Sequence, residues 1–330
     1  MHRRTFLCGL TLGTLAPLAG DAQPAGRAVR IGMLRYQGSP GEHDETLRQA
    51  LRDLGWVEGR NVTFEYRWAD GRGDRLPALA KDLVRSNVDL IVTNTAMGGL
   101  AAKNATKTIP IIMATGAEAV ENGVVASLAR PGGNVTGLSE HYATIHTKLL
   151  GLLHETLPEV TRVAFLVNTA LGSDGIGGTG HRSRDALQAA APSLAISLRT
   201  FEYRHDAGFD GALQAAAHER PGALIVPAAI YTANGPRIAE VAAKTRIPVF
   251  SLADIPVEKH FGLVAYGPDW LDMYRRAATY VDKVLKGAQP ADLPVQQPVK
   301  FNLTVNLKTA RQLGITIPPV VLLQATKVIE

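Results

Sequence analysis

The sequence predicts an α/β protein made of two similar units facing each other across a cleft, and three observations carry that prediction. From Val29 onward, short apolar, β-branched runs alternate with amphipathic stretches at helical spacing, the pattern of helices layered on a parallel sheet. The series starts again at Arg162. Both series then end in the same order of features. A chain of 330 residues, 46% of them hydrophobic, is long enough for about two such units, each with its own core.

In the first series "VRIGML" (29–34) is a strand. The helix "HDETLRQALRDLG" follows, with Leu47, Ala50, Leu51 and Leu54 on one face and Gly55 as its stop. Next come the strand "NVTFEYRWA", the helix "RLPALAKDLVRS", the strand "DLIVTN", the helix "GGLAAKNAT" and the strand "IPIIMAT". The second series runs "RVAFLVN" (162–168), "RSRDALQAAA", "AISLRTFEY", "FDGALQAAAHER" and "GALIVPA", again strand and helix in alternation.

The repeat is closest where each series ends. "DLIVTNTAMGGLAAKNATKTIPIIMAT" and "GALIVPAAIYTANGPRIAEVAAKTRIPVFSLA" share the order strand, loop, helix, A-x-K or A-A-K, Thr, Ile-Pro, strand. Ile109-Pro110 and Ile247-Pro248 place a proline just past a helix and at the opening of a strand, where it ends one element and starts the next. Ligands bind at strand C-termini in open parallel sheets, so two facing units put both sets of loops around one cleft. The tail adds the strand "LVAYGPD", the helix "WLDMYRRAATYVDKVLKG" ending at Gly287, the strand "FNLTVN" and the helix "LKTARQLG". Between them Pro290, Pro294 and Pro298 keep the backbone extended, as a crossover between units requires.

Residues 1–24 read as an export signal rather than as part of the fold. Arg3 and Arg4 precede an uncharged stretch from Thr5 to Gly20, and the small residues Ala19 and Ala22 suit cleavage near residues 22–25. The stretch is too short, and too broken by Gly and Pro17, for a membrane span. "RRTFL" resembles a twin-arginine signal, with the general secretory route as the alternative. The only cysteine, Cys8, lies inside this segment, so the processed chain holds no disulfide and no Cys-based metal site. The net charge of +5 is scattered, without a basic run interleaved with aromatics, which argues against nucleic acid as a partner.

Several segments also carry a family resemblance. "GWVEGRNVTFEYRWADGRGDRLPALAKDLV", "VASLARPGGNVTGLS", "YGPDWLDMYRRAATYVDKVLKGAQPADLPVQQP" and "FNLTVNLKTARQLGITIPP" resemble the ABC-transporter substrate-binding protein family that includes tryptophan-binding-like proteins, over essentially all of residues 29–330. The resemblance implies a type I periplasmic-binding-protein fold: two Rossmann-like lobes, each a parallel sheet flanked by helices, joined by a three-crossover hinge. With the tail placed on that plan, lobe 1 is expected to hold 29–137 plus 256–296 and lobe 2 to hold 138–255 plus 297–330. It further implies a small ligand, an amino acid or related and possibly aromatic carboxylate, and an ABC permease in the inner membrane. The chain departs from the family pattern at three places. Ala117-Glu118-Ala119-Val120 stands where members read G-D-P-V, and Asn168-Thr169-Ala170-Leu171-Gly172 where they read N-P-A-N-P. Ala228-Ala229 stands where an Asp often follows the strand, so that partner for a ligand ammonium is missing.

"GSDGIGGTG" (172–180) matches G-x-G-x-x-G from Gly175 to Gly180. A dinucleotide fingerprint needs its first glycine at the strand end, against the following helix, but here the strand ends near Asn168. The segment therefore reads as a cleft-rim loop that can approach a ligand through its backbone.

Candidate ligand residues are the polar ones on loops at strand C-termini. Thr93, Asn94 and Thr95 precede a helix, where hydroxyls and free N–H groups receive a carboxylate and serve equally as an N-cap. Thr115, Gly116 and Glu118 follow the fourth strand, with Glu118 as the acid available to an amine. Tyr36, Gln37 and Ser39 follow the first strand, where an aromatic and an amide orient a planar ligand. In the second unit the candidates are Asn168, Thr169 and Tyr231, with Asp254 near the second crossover. His141 and Tyr142 sit just after the first crossover. No G-x-S-x-G elbow, Walker loop, H-E-x-x-H or paired metal-ligand spacing is present, so neither catalysis nor a cofactor is expected. A transcription regulator of this fold would begin with a helix-turn-helix where this chain has a leader. The resulting expectation is a monomeric, periplasmic solute receptor; the alternatives are a small-molecule-sensing receptor or an exported enzyme on the same bilobal fold.

Overall fold

The β-branched runs form two separate sheets. The computed structural model describes residues 27–36, 41–169, 179–204 and 206–330; the segment expected to be an export signal, Gln37, Ser39 and most of the 172–180 segment lie outside them. In chain order the first half holds β1 (Val29–Arg35), α1 (Glu42–Asp53), β2 (Val62–Trp68), α2 (Leu76–Arg85), β3 (Leu90–Thr93), α3 (Ala96–Ala105), β4 (Ile111–Met113) and β5 (Val135–Gly137). Then come α4 (Tyr142–Thr156), β6 (Arg162–Asn168), α5 (Thr179–Ala190), β7 (Ser197–Tyr203), α6 (Asp206–His218), β8 (Ala223–Val226), α7 (Ala228–Thr245), β9 (Val249–Ser251), α8 (Asp254–Lys259) and β10 (Val264–Pro268). The chain ends with α9 (Trp270–Leu285), β11 (Phe301–Asn306), α10 (Leu307–Leu313), α11 (Pro319–Gln324) and β12 (Lys327–Ile329).

One sheet is wholly parallel in the order β2-β1-β3-β4-β5. Alternate residues of β1 go to opposite faces, as a strand requires. Ile31 and Met33 join Leu47 and Leu51 of α1 and Met273, Ala277 and Val281 of α9, while Leu34 joins Leu76, Ala80 and Leu83 of the α2 side. The other sheet runs β12-β11-β10-β9-β8-β6-β7 and is parallel except where β10 meets β11. This corrects the expected boundary at residue 256. The strand Val264–Pro268 pairs with β9 and β11 in the second sheet, and the chain returns to the first lobe only with α9.

Three segments cross between the lobes: 138–141, 268–270 and 294–300. They are tied together. Gln296 N–H donates to the Gly137 carbonyl at 2.9 Å, Ser139 N–H to that of Gln296 at 2.9 Å, and Asp269 N–H to that of Lys300 at 3.0 Å. Gly137, at the head of the first crossover, has φ of +128°, and a Cβ there would lie 2.2 Å from the Met113 carbonyl oxygen. Only glycine fits such a position.

The sequence reading places no helix between the first crossover and β6, yet α4 occupies it for 15 residues. Its buried Leu149, Leu150, Leu152 and Leu153 surround more than one stripe, so the amphipathic signal that marks a surface helix is blurred. In α7 the interior Pro236 supplies no N–H, and Asn234 leaves helical dihedrals at φ of −125°, so one apparent helix is two segments across a kink. Among the described residues no helix is long and apolar enough to cross a membrane.

Candidate functional site

The C-terminal ends of β1, β3, β4 and β5 deliver a band of polar side chains next to the hinge. Two buried carboxylates dominate it. Glu118 is 1% exposed and Glu140 2% exposed. Glu140 holds the hinge turn together: its Oε2 accepts the Gly116 N–H at 2.8 Å, its carbonyl accepts the Glu118 N–H at 2.8 Å, and the Trp270 side chain also hydrogen-bonds its carboxyl. Glu118 reaches the first turn of α4, where its Oε1 accepts the Ala143 N–H at 3.4 Å. A carboxylate at the positive end of a helix is favourably placed. Its other oxygen, Oε2, is buried with no hydrogen-bond partner.

Glu118 also has φ of +47°, a left-handed conformation that costs a non-glycine residue about 1 kcal/mol. A glycine would hold this turn with less strain. Burial pushes the carboxyls of Glu118 and Glu140 up to about 7, with the negative charge of Glu140 adding to the shift at Glu118. Desolvation disfavours the charged form of each, and a cation brought beside them restores it. Tyr142 lies against the same pair. Burial first, then the charges of Glu140 and Glu118, raises its hydroxyl well above the usual range.

Next to this pair, Tyr274 of α9 links several of the other groups. Its hydroxyl meets the Asn94 side chain, and burial pushes it up to about 12. Its ring stacks on His43 at 5.0 Å and lies 5.5 Å from the Arg35 guanidinium. Arg35 is 1% exposed and pairs with Asp44 in the first turn of α1. Sequence reasoning passed over Arg35, Asp44, Glu140, Trp270 and Tyr274. Arg35 and Glu140 were within reach, because Arg35 closes β1 and Glu140 comes three residues after β5. Tyr274 and Trp270 sit about 180 residues later in the chain, and no local pattern points to them.

The remaining candidates separate. Asn94 Oδ1 accepts the Tyr36 N–H at 3.1 Å, and the Thr115 hydroxyl donates to the Asn94 carbonyl at 2.8 Å, so Tyr36, Asn94 and Thr115 come together with Gly116. The Tyr36 ring is half-buried against the α2-side core. Thr95 is the N-cap of α3, its hydroxyl accepting the Gly98 N–H at 3.0 Å. Thr93 is fully buried beneath that helix. His141 precedes α4, with Nδ1 2.9 Å from the Thr144 hydroxyl and Nε2 3.9 Å from Glu121.

In the second lobe Asn168 and Thr169 end β6, and Thr169 is tied to β7 by its N–H to the Tyr203 carbonyl at 2.7 Å. Tyr231 is a correction. It is fully buried in the second-lobe core and donates to the His260 carbonyl at 2.6 Å, so it faces protein and not the cleft. Asp254 opens α8 and is not at a crossover, although its charge acts on His43 of the first lobe. Glu118 is also not the sole acid near the first-lobe loops, since Glu140 lies beside it. Among the described residues no group of three or more His, Cys, Asp or Glu is arranged to hold a metal.

Residues 39–329 match the family described as ABC transporter substrate binding protein. A tyrosine-binding protein of Clostridioides difficile is 25% identical over 265 residues, covering 80% of this chain and 74% of that protein. The structure of an ABC domain in complex with L-Trp from Streptococcus pneumoniae aligns with a TM-score of 0.82 at 25% identity, over 92% of this chain and 100% of that one. A conserved domain protein from Vibrio cholerae aligns with the same TM-score at 27% identity and the same coverage.

Proposed function

Because the chain belongs to the ABC transporter substrate binding protein family, we propose that it captures a small ligand bearing an ammonium group between its lobes, an aromatic amino acid first of all, and presents it to a membrane permease. The observation that carries this reading is Glu118. A buried carboxylate oxygen without a partner, on a residue in a left-handed conformation, is an unmet acceptor next to the hinge, and a ligand ammonium meets it. The relatives named for tyrosine and L-Trp support the choice of amino acid. Tyr36, Asn94, Thr95, Thr115 and Gly116 form the floor around it, with Tyr142 and Tyr274 as aromatic surfaces. Asn168, Thr169 and Asp254 are the second-lobe contacts of this reading.

The cycle follows from two lobes on a three-segment hinge. Ligand binds the first-lobe floor, the second lobe adds contacts, and the population moves toward the closed form. The arginine pair and apolar stretch at the N-terminus support export to the periplasm, where an ABC permease would take the closed form.

The test is calorimetric titration with L-tyrosine and L-tryptophan, beside their des-amino counterparts. The amino acids are expected to bind and the des-amino acids to lose most of the affinity. Glu118→Gln removes the charge at nearly constant shape, and a charged hydrogen bond of about 1.5–3 kcal/mol corresponds to a loss of roughly 10- to 150-fold. Equal affinity for the amino acid and its des-amino form would remove Glu118 from the site.

A further inference from the structure

The turn that carries Glu118 is gripped from the other lobe. Within the turn, Asn122 donates its N–H to the Glu118 carbonyl at 2.9 Å and its Nδ2 to the Ala117 carbonyl at 2.8 Å. Its Oδ1 accepts a hydrogen bond from outside. The donor is Arg182 Nη1 at 3.1 Å, and Nη2 of the same guanidinium points to the Glu121 carbonyl at 3.4 Å. Arg182 lies on α5, which follows β6 of the second sheet, whereas the turn lies between β4 and β5 of the first.

We propose that Arg182 and Asn122 form an interlobe clasp, which holds the lobes closed over the turn that carries Glu118 and slows ligand release. Three features argue for it. The planar guanidinium addresses two acceptors at once, which a lysine ammonium does not reproduce. Both acceptors are neutral, so the contact is a pair of charge-assisted hydrogen bonds without a buried ion pair, and it can open and reform in each transport cycle. The contact joins one lobe to the other, so a movement that parts them at this point breaks it, and the arrangement that keeps it is favoured by its worth. Arg182 is a positioning residue here. Its charge also reaches the Glu118 carboxyl, which couples closure to the group that the proposed function places on the ligand.

The experiment is single-molecule fluorescence energy transfer on the processed chain, between cysteines introduced at the exposed Lys81 and Lys244 on the outer helices of the two lobes. The only native cysteine, Cys8, is in the leader and is removed with it. Without ligand, Arg182→Ala and Asn122→Ala are each expected to raise the open-to-closed ratio on the order of tenfold, with the double variant no more open than either single one. Asn122→Asp gives up the Nδ2 bond to the Ala117 carbonyl in either background, so it is read as a difference: it is expected to be more closed with Arg182 present than in the Arg182→Ala background. Identical transfer distributions, or effects that add, would overturn the clasp.

L-tyrosine then serves as a kinetic probe. Arg182→Ala should raise its dissociation rate about tenfold and leave association nearly unchanged; an unchanged dissociation rate overturns the retention role. If L-tyrosine fails to bind the unaltered protein, the ligand assignment falls, while the ligand-free measurement still decides the clasp. Thermal melting of each variant separates opening from unfolding.

Discussion

The two lobes use one segment twice and equip it differently. In both, the Ile-Pro pair opens the strand after a helix, and the proline carbonyl accepts a hydrogen bond from the neighbouring strand at 2.9 Å, from Ile91 N–H to Pro110 and from Leu224 N–H to Pro248. The backbone scaffold is thus repeated. The side chains at the strand ends are not. The first lobe ends β3 with Thr93, follows it with Asn94 and Thr95 and caps α3 with a hydroxyl; the second follows β8 with Pro227, Ala228 and Ala229, and α7 has no side-chain cap. The lesson is a division of labour. The first lobe holds the buried, strained polar groups on which the proposed site rests, and the matching turn of the second is apolar and uncapped.

The strongest way to break this comparison is at its two glycines. Gly137 in β5 and Gly267 in β10 occupy corresponding strands, and a Cβ at either would lie 2.2 Å from a carbonyl oxygen, of Met113 and of Leu252 respectively. Gly137 alone also has positive φ. Gly137→Ala therefore suffers both overlap and a forbidden backbone, and we expect a loss of about 3 kcal/mol or more. Gly267→Ala suffers only the overlap and should lose less. Denaturant titration of both variants decides it; equal losses would mean the hinge glycine carries no special strain.

The next effect comes from the hinge carboxyls, and its sign is set by burial. Burial pushes the carboxyls of Glu118 and Glu140 up to about 7 in the folded chain, above their ordinary unfolded value, so the folded state binds more protons between about pH 4.5 and 7. Stability is then greatest below that window and falls as pH rises through it, by an order of a few kcal/mol if both groups act. Melting temperature measured from pH 5 to 7.5 should fall, and Glu118→Gln should flatten the slope. An ammonium ligand favours the charged carboxylates, so its binding near pH 7 should release protons. Calorimetry in buffers of different ionisation enthalpy would detect that release, and a buffer-independent heat would argue against a cation at this pair.

Much of the scaffold was legible because periodicity and turn chemistry are local. The alternation of strands and helices, the Ile-Pro repeat and the Thr-Asn-Thr turn need only a dozen residues of context each. Of the candidate residues, those on the turns just after strands were legible, as with Asn94 after β3 and Glu118 a few residues after β4. The site was not legible where side chains meet through the third dimension. Tyr274 and Trp270 arrive at the first-lobe floor from α9, and Arg182 arrives from the other lobe. Tyr231 shows the opposite error, because its position after β8 suggested the cleft, while α7 turns the ring into the core. The boundary error at β10 has a similar origin. A strand that pairs antiparallel with β11 has no signature in its own residues to say which sheet it joins.

The smallest effect bears most directly on the division between the lobes. Thr95 caps α3 with its hydroxyl and stands on the proposed floor, so one side chain serves both the helix and the ligand. Thr95→Ala should lose about 1 kcal/mol of stability from the cap, within the usual range of roughly 0.5–2 kcal/mol. Pro227→Ala, at the matching place in the second lobe, removes no side-chain cap and tests how much of that loss belongs to the hydroxyl. Urea titration of both variants gives the first number, and titration with L-tyrosine gives the second. A weaker affinity in Thr95→Ala alone would place the hydroxyl on the ligand. Unchanged affinity with the full loss of stability would leave Thr95 as a cap, and the floor would then rest on Asn94, Thr115 and Glu118.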